Sequence, residues 1–299
     1  MDFPGPLFIL PMLLIADSGS TKTDWRLVDN NSKIHQLKTQ GFNPFFQDSE
    51  DISSILKNEF FHQLPSGIDL GGVDIYFYGA GCSSEIKCAV VQEGLKKVFP
   101  EANVEVNHDL LAAARATCGT NPGLAAILGT GSNSCWYDGK NIVENIPALG
   151  FILGDEGSGA HMGKTFIKDY LNKEVPEHIA QRFITRFKLS KEDILDAVYK
   201  KPFPNRFLAG FSKFIYQNLK DQYISDLVTL CLNQFFDKHI CKYQPNNQLK
   251  LNVVGSVGFY FSNYLTRIAL ERGLETDKII ESPIAGLTLY HLGEFDSKQ

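Results

Sequence analysis

Apolar and polar positions divide the chain into short strands and amphipathic helices. Leu13–Asp17 is an apolar run that closes on an aspartate, Asp24–Asp29 alternates in part, and Ile34–Thr39 reads as a third strand set apart by Asn30-Asn31. From Asp51 to Gln63 and on to Leu64, the residues Ile52, Ile55, Leu56, Phe60 and Leu64 recur at helical spacing. Val73–Tyr78 is rich in β-formers and stops at Gly79-Ala80-Gly81. Glu85–Phe99 carries Val90, Val91, Leu95 and Val98 on one side and reads as a helix. Val104–Val106 is a short strand ending at His108-Asp109, and the alanine-rich Leu110–Thr117 reads as the helix that follows.

Part of this order recurs after the turn cluster Gly119–Gly123. Leu124–Leu128 is a strand ending in a glycine loop, and Ser134–Tyr137 and Ile142–Ile146 flank Asp138-Gly139 as a hairpin. A helical pattern then occupies about His161 to Tyr243. Leu249–Val254 is a buried strand ending in glycines, Phe259–Glu271 a helix, Lys278–Glu281 a strand and Ala285–Leu292 a last helix. Two copies of a three-strand meander followed by β-α units predict a duplicated α/β architecture with a cleft between its halves. The first domain is expected over about 12–118, with a C-terminal helix of about 286–299 returning to it. The second is expected over 119–285, with a helical insertion of about 161–243.

Composition narrows the function classes. The 299 residues are 43% hydrophobic and 21% charged, with a net charge of −5, the balance of a globular protein. Nucleic-acid binding needs a basic face and is not expected. The six cysteines form no C-x-x-C pair and read as reduced, mostly buried thiols of a cytoplasmic protein. The apolar start, Met1 to Ala16, lacks a basic leader and is interrupted by Pro4, Pro6 and Pro11. It is shorter than the roughly 20 residues of a membrane helix. Met12 is the expected start, with residues 1–11 an extension, and no membrane association is expected.

Two glycine loops carry candidate chemistry. Asp17-Ser18-Gly19-Ser20-Thr21-Lys22-Thr23-Asp24 lies between two strands, so it is neither a Walker loop nor a dinucleotide fingerprint. A tight hairpin of small, hydroxylated residues presents backbone N–H groups to an anion. Lys22 would add a point charge, and Asp17 would hold a hydrated Mg²⁺. Turn chemistry alone also explains the segment. Gly129-Thr130-Gly131-Ser132-Asn133 lies at the matching point of the second copy, where a side chain at Gly131 is expected to block close approach of a phosphate. A third loop, Gly255-Ser256-Val257-Gly258, precedes a helix whose N-terminus would favour an anion.

These segments, with Gly41-Phe42-Asn43, His108-Asp109 and Gly154-Asp155-Glu156-Gly157-Ser158, run in the order found in the N-acetylglucosamine kinase-like family. The resemblance covers about residues 13 to 292. It extends to the activator ATPases of benzoyl-CoA reductase and 2-hydroxyacyl-CoA dehydratase, and to the actin, hexokinase and chaperone ATPase superfamily. It implies paired ribonuclease H-like domains, ATP and Mg²⁺, and transfer of phosphate to a sugar hydroxyl. It implies Asp109 as the general base, a role worth ~10²–10⁴-fold. The bare sequence also allows Asp109 as an N-cap of the alanine-rich helix. By the same resemblance, Asn43, Gly150, Asp155 and Glu156 would bind the sugar. Gly19, Ser20, Thr21, Lys22, Thr23, Gly129, Thr130, Gly131, Ser132, Gly255 and Ser256 would bind ATP. Ala209-Gly210 would lie beside adenine.

Locally, Asp155-Glu156 also reads as a solvated turn between glycines, and Asn43-Pro44 as a turn start. Leu149 replaces a tryptophan of the family pattern, which leaves the acetamido pocket open to other amino sugars. N-acetylglucosamine is the first expectation; glucosamine and N-acetylmuramate are alternatives. A homodimer is allowed for. An iron–sulfur activator ATPase is a different class, for which Cys118 and Cys135 would be the cysteines in question. A binding-only sugar sensor is a third.

Overall fold

The computed structural model describes residues 12–19, 22–244, 249–293 and 295. The expectations for residues 1–11, Ser20 and Thr21 lie outside the described residues. Two compact units divide the chain: one takes the described residues up to Ala116 and those from Pro283, and the other is Thr117–Ser282.

In the first unit β1 (Leu13–Ser18), β2 (Lys22–Val28) and β3 (Ile34–Gln40) form an antiparallel meander. β4 (Asp74–Gly79) and β5 (Asn103–His108) run parallel to β1, giving the order β3-β2-β1-β4-β5. The core packs around Trp25, whose ring meets Phe60 at 5.3 Å, Phe77 at 6.0 Å and Phe42 at 6.1 Å. Its indole nitrogen donates to the Thr39 hydroxyl at 3.0 Å, so the one polar atom of the buried ring is satisfied.

Helix α1 (Ser49–Ile55) continues as a wider π turn over Leu56–Phe60 and a tight turn over Phe61–Gln63. It starts before the apolar stripe because Asp48 caps it reciprocally with Asp51. Helix α2 (Glu85–Lys96) places Val91 and Leu95 in the same core, and α3 (Asp109–Cys118) leaves the end of β5.

The second unit repeats the plan. β6 (Gly123–Leu128), β7 (Ser132–Tyr137) and β8 (Ile142–Glu144) are antiparallel, and β9 (Leu251–Val254) and β10 (Thr276–Ile280) run parallel to β6. The order β8-β7-β6-β9-β10 matches that of the first sheet strand for strand. The duplicated α/β architecture expected from the sequence is therefore present. Between β8 and β9 come α4 (Gly150–Leu153), α5 (Gly159–Leu171), α6 (Glu177–Phe187), α7 (Lys191–Tyr199), α8 (Pro204–Ala209), α9 (Ser212–Gln217) and α10 (Gln222–Lys238).

The helix expected over Phe259–Glu271 is two helices, α11 (Ser256–Tyr260) and α12 (Ser262–Glu271). The break falls at Phe261, whose ring is buried edge-on against Tyr216 at 5.7 Å. The last helix, α13 (Ile284–His291), belongs to the first unit, where the His291 ring stacks on Tyr76 at 3.8 Å and Nε2 bonds the Tyr78 hydroxyl at 2.8 Å.

One close approach sets the position of α8. Gly163 of α5 lies against the Leu208 carbonyl, with no room there for a Cβ atom. Gly163→Ala should push α8 from α5 and destabilise the protein by roughly 1–3 kcal/mol, as overpacking does. Urea unfolding of the variant beside the parent measures it.

Candidate active site

Two acidic residues lie at the carboxyl ends of the parallel strands in the first sheet. Ser18 on β1, Gly79 on β4 and His108 on β5 lie in register, so Asp17 and Asp109 sit at the same end of the sheet. Ligands of open α/β sheets bind outside such strand ends. His108 takes the cap of α3: its Nδ1 accepts from the Leu111 amide at 3.2 Å. This corrects the N-cap alternative for Asp109, which is the first residue of the helix itself. Burial pushes the Asp109 carboxyl up to about 6, and the amides of Leu110 and Asp109 draw it part of the way back.

Asp17 is pushed further, to about 7. Burial is the largest cause, followed by the charges of Asp109 and Asp24, with Lys22 opposing. Asp24 faces Asp17 across the β1–β2 pair and binds Lys22 at 2.7 Å. Lys22 therefore has an ion-pair partner, although 63% of its side chain is exposed.

The described residues of the first hairpin have partners within the sheet. The Gly19 amide donates to the Lys22 carbonyl at 3.0 Å and is used inside the turn. The Thr23 hydroxyl is buried, sharing a hydrogen bond with Ser18 at 2.8 Å and donating to the Gln40 carbonyl at 3.1 Å. Thr23 is thus a strut of the sheet, and Ser18 in turn accepts from the Phe42 amide at 3.0 Å. The Asn43 side-chain oxygen accepts from the Phe45 amide at 3.0 Å, the local turn that its position before Pro44 also allowed.

In the second unit the glycine loop is fixed from outside. The carbonyls of Gly129 and Thr130 accept from the Gly159 and Ala160 amides at 2.9 and 3.0 Å, using orphan donors of the first turn of α5. Gly131 has a close neighbour within its own unit. A Cβ atom there would stand 2.9 Å from the Asp155 carboxylate, so the glycine makes room for that side chain. Asp155 accepts from the Ser132 amide at 3.2 Å, and burial raises its pKa. Its φ of +57° is left-handed, which few non-glycine residues adopt without a clamp. The buried Ser132 hydroxyl has no hydrogen-bond partner among the described residues. Glu156 turns its carboxylate to His239, 3.1 Å away. Gly150 sits exposed at the start of α4 with φ +72°, a turn position.

A cavity of about 470 Å³ gathers segments far apart in sequence: Gly129-Thr130, Ala209-Gly210 and Ser256. Gly255 precedes Ser256 at the end of β9. Helix α11 has only 5 residues, so it offers less dipole than the expected longer helix would. Tyr216, Tyr260 and Lys213 complete the wall, the two rings meeting edge-on at 5.3 Å. The sequence reading missed these three. Lys213, Tyr216 and Gln217 have i, i+3, i+4 spacing, a signal that locates one helix face without saying what it faces.

Among solved structures, a Porphyromonas gingivalis protein to which N-acetylglucosamine kinase activity is ascribed is 41% identical, with a TM-score of 0.87 over 94% of this chain and 99% of that one. The chain belongs to the N-acetylglucosamine kinase-like family. A Chromobacterium violaceum structure with the same ascription is 16% identical, with a TM-score of 0.73 over 94% of this chain and 99% of its own. MreB 5 of Spiroplasma citri bound to AMPPNP is 12% identical, with a TM-score of 0.56 over 96% of both chains. These two share the fold. No protein-family model matches the chain, and comparison with curated proteins finds no match. No helix among the described residues is long and apolar enough to cross a membrane.

The raised Asp17 pKa carries a stability cost with a definite sign. The folded state holds the proton more tightly than the unfolded chain, so stability falls as pH rises from about 4 through about 7. Without divalent cations, Asp17→Asn should gain roughly 1–3 kcal/mol over the parent at pH 8 and little at pH 4. Urea titrations at the two pH values decide it.

Proposed function

We propose that this chain is an ATP-dependent kinase that phosphorylates a hydroxyl of an amino sugar, with N-acetylglucosamine as the first acceptor to test. The observation that carries the reading is the cavity shared by Gly129-Thr130, Ala209-Gly210 and Ser256, three segments that the family resemblance assigns to ATP. Ala209-Gly210 offers a small-residue approach for the base, and Tyr216 or Tyr260 an aromatic face for it. Exposed Thr130 and the buried Ser132 hydroxyl would meet the phosphates.

Phosphoryl transfer asks little covalent chemistry of the protein; positioning and charge do most of the work. Asp109 accepts the proton of the acceptor hydroxyl as that oxygen attacks the γ-phosphoryl group, and the bond from the γ-phosphorus to the β–γ bridging oxygen breaks to release ADP. A base whose pKa lies near 6 is ionised at neutral pH and still basic enough to take the proton. Asp155 orients the sugar, each carboxylate oxygen accepting from a hydroxyl.

Mg²⁺ suits the strand end that holds Asp17. Asp109 and Asp24 crowd that carboxylate with negative charge, which a cation would relieve. The described residues contain no cluster of three metal-binding side chains, so Asp17 would hold an ion that keeps its waters and phosphate oxygens, as Mg²⁺ does. When bound, the ion neutralises charge on the phosphates.

The iron–sulfur activator is the alternative reading, with Cys118 and Cys135 the cysteines in question; both are buried. A colourless, iron-free protein as purified would dismiss it. Glucosamine and N-acetylmuramate remain the alternative acceptors to N-acetylglucosamine.

Asp109→Asn should lower kcat for N-acetylglucosamine phosphorylation by at least ~10²-fold and leave ATP affinity unchanged. In the parent, kcat/KM should fall as pH drops through about 6, because protonation removes the base. Equal turnover in a coupled ADP-release assay would defeat the assignment. Gly131→Ala should displace Asp155 and raise the sugar KM by about tenfold, with nucleotide affinity by calorimetry within twofold of the parent. The opposite split would return Gly131 to the phosphate role.

A further inference from the structure

Asp155 has a left-handed backbone, φ +57°, a conformation that aspartate tolerates better than most side chains and that hydrogen bonds around it fix here. Three restraints come from neighbours. The Ser132 amide donates to the Asp155 carboxylate at 3.2 Å, the Ser158 amide to its carbonyl at 3.1 Å, and the Gly157 amide to His161 Nδ1 at 3.2 Å.

The fourth comes from far along the chain. His239, at the end of α10 and 83 residues from Glu156, holds that carboxylate at 3.1 Å through Nε2. Burial works against the Glu156 charge, yet its own amide and His239 together keep its pKa below the usual range. Glu156 is therefore an acceptor, and the ring donates from Nε2. His239 is itself 4% exposed, lies 5.6 Å from the Phe235 ring, and donates its amide to the Phe235 carbonyl. The ring end of the bond is buried and the carboxylate end part-exposed, a setting in which a charge-assisted hydrogen bond is stronger than at an open surface. Glu156 meanwhile lines a small hollow with Gly154, His161, Lys164 and Lys238.

We propose that His239 is a positioning residue for the acceptor sugar: by holding Glu156 it fixes the left-handed turn that presents Asp155. The proposal rests on the reading of Asp155 as a sugar ligand. It gives Glu156 the part of a strut in place of the direct sugar contact implied by the family resemblance.

The test uses the full-length protein with N-acetylglucosamine and ATP. His239→Leu removes the donor and keeps an apolar side chain of similar size; His239→Gln returns a donor near the Nε2 position. His239→Leu should raise the sugar KM about tenfold, with kcat and the ATP KM within twofold of the parent. His239→Gln should recover most of that loss. Glu156→Ala should show the same split, and the double variant with His239→Leu no further loss. A sugar KM unchanged in both single variants, or equal losses for sugar and nucleotide, overturns the positioning role. If His239→Leu does not fold, Glu156→Ala and His239→Gln carry the comparison. Asp155→Asn with an unchanged sugar KM would overturn the assignment of Asp155 itself. An impaired Asp155→Asn beside an unimpaired His239→Leu would overturn only the role of His239.

Discussion

The second unit is organised by one hydrogen-bonded junction, the docking of the first turn of α5 on the loop Gly129–Gly131. Two amides that a helix start leaves unpaired are satisfied by two carbonyls that a tight loop leaves unpaired. Each partner cancels the other's desolvation cost, so the pair persists in a buried setting. The junction fixes the loop that walls the cavity, and α5 then carries α8 on Gly163, which brings Ala209-Gly210 to the same cavity. It also starts α5 directly after the turn that holds Asp155 and Glu156. Loss of register there would disturb the cavity and the acidic turn together.

The duplication is exact in strand order and unequal in chemistry. In the first sheet the strands of the β1 hairpin carry Asp17 and Asp24, and the Gly19 amide and the Ser18 and Thr23 hydroxyls bond within the sheet. In the second, the equivalent strand β6 is apolar to its last residue, and the loop beyond it borders a cavity. The cost of charge in the first sheet shows in the raised pKa values of Asp17 and Asp109, which persist because the surrounding sheet is stable enough to hold them.

Several residues have partners that bear on their part in the structure. Asn43 makes the turn that its local sequence suggested, because a side-chain acceptor one residue before Pro44 finds the Phe45 amide within reach. Thr23 belonged to a hydroxyl-rich loop and lies inside the sheet, because strand alternation turned it inward. His108 supplies the helix cap and leaves Asp109 as the first helical residue. Gly131 makes room for a carboxylate of its own chain. For Thr23 and Gly131 short-range rules were right about backbone shape and silent about the partner across space, whereas Asn43 and His108 find theirs within three residues.

The order of apolar runs, glycine loops and helical stripes was enough to determine the repeated three-strand meander, the α/β class and the segments that hold Asp17, Asp109 and Asp155, because backbone geometry and side-chain periodicity act over a few residues. Tertiary structure alone decided that residues near 130, 210 and 256 share a cavity, that α11 and α12 part at Phe261, and that His239 reaches Glu156. Those outcomes depend on which surfaces exclude water together, and packing of that kind joins residues whose separation along the chain carries no local signal.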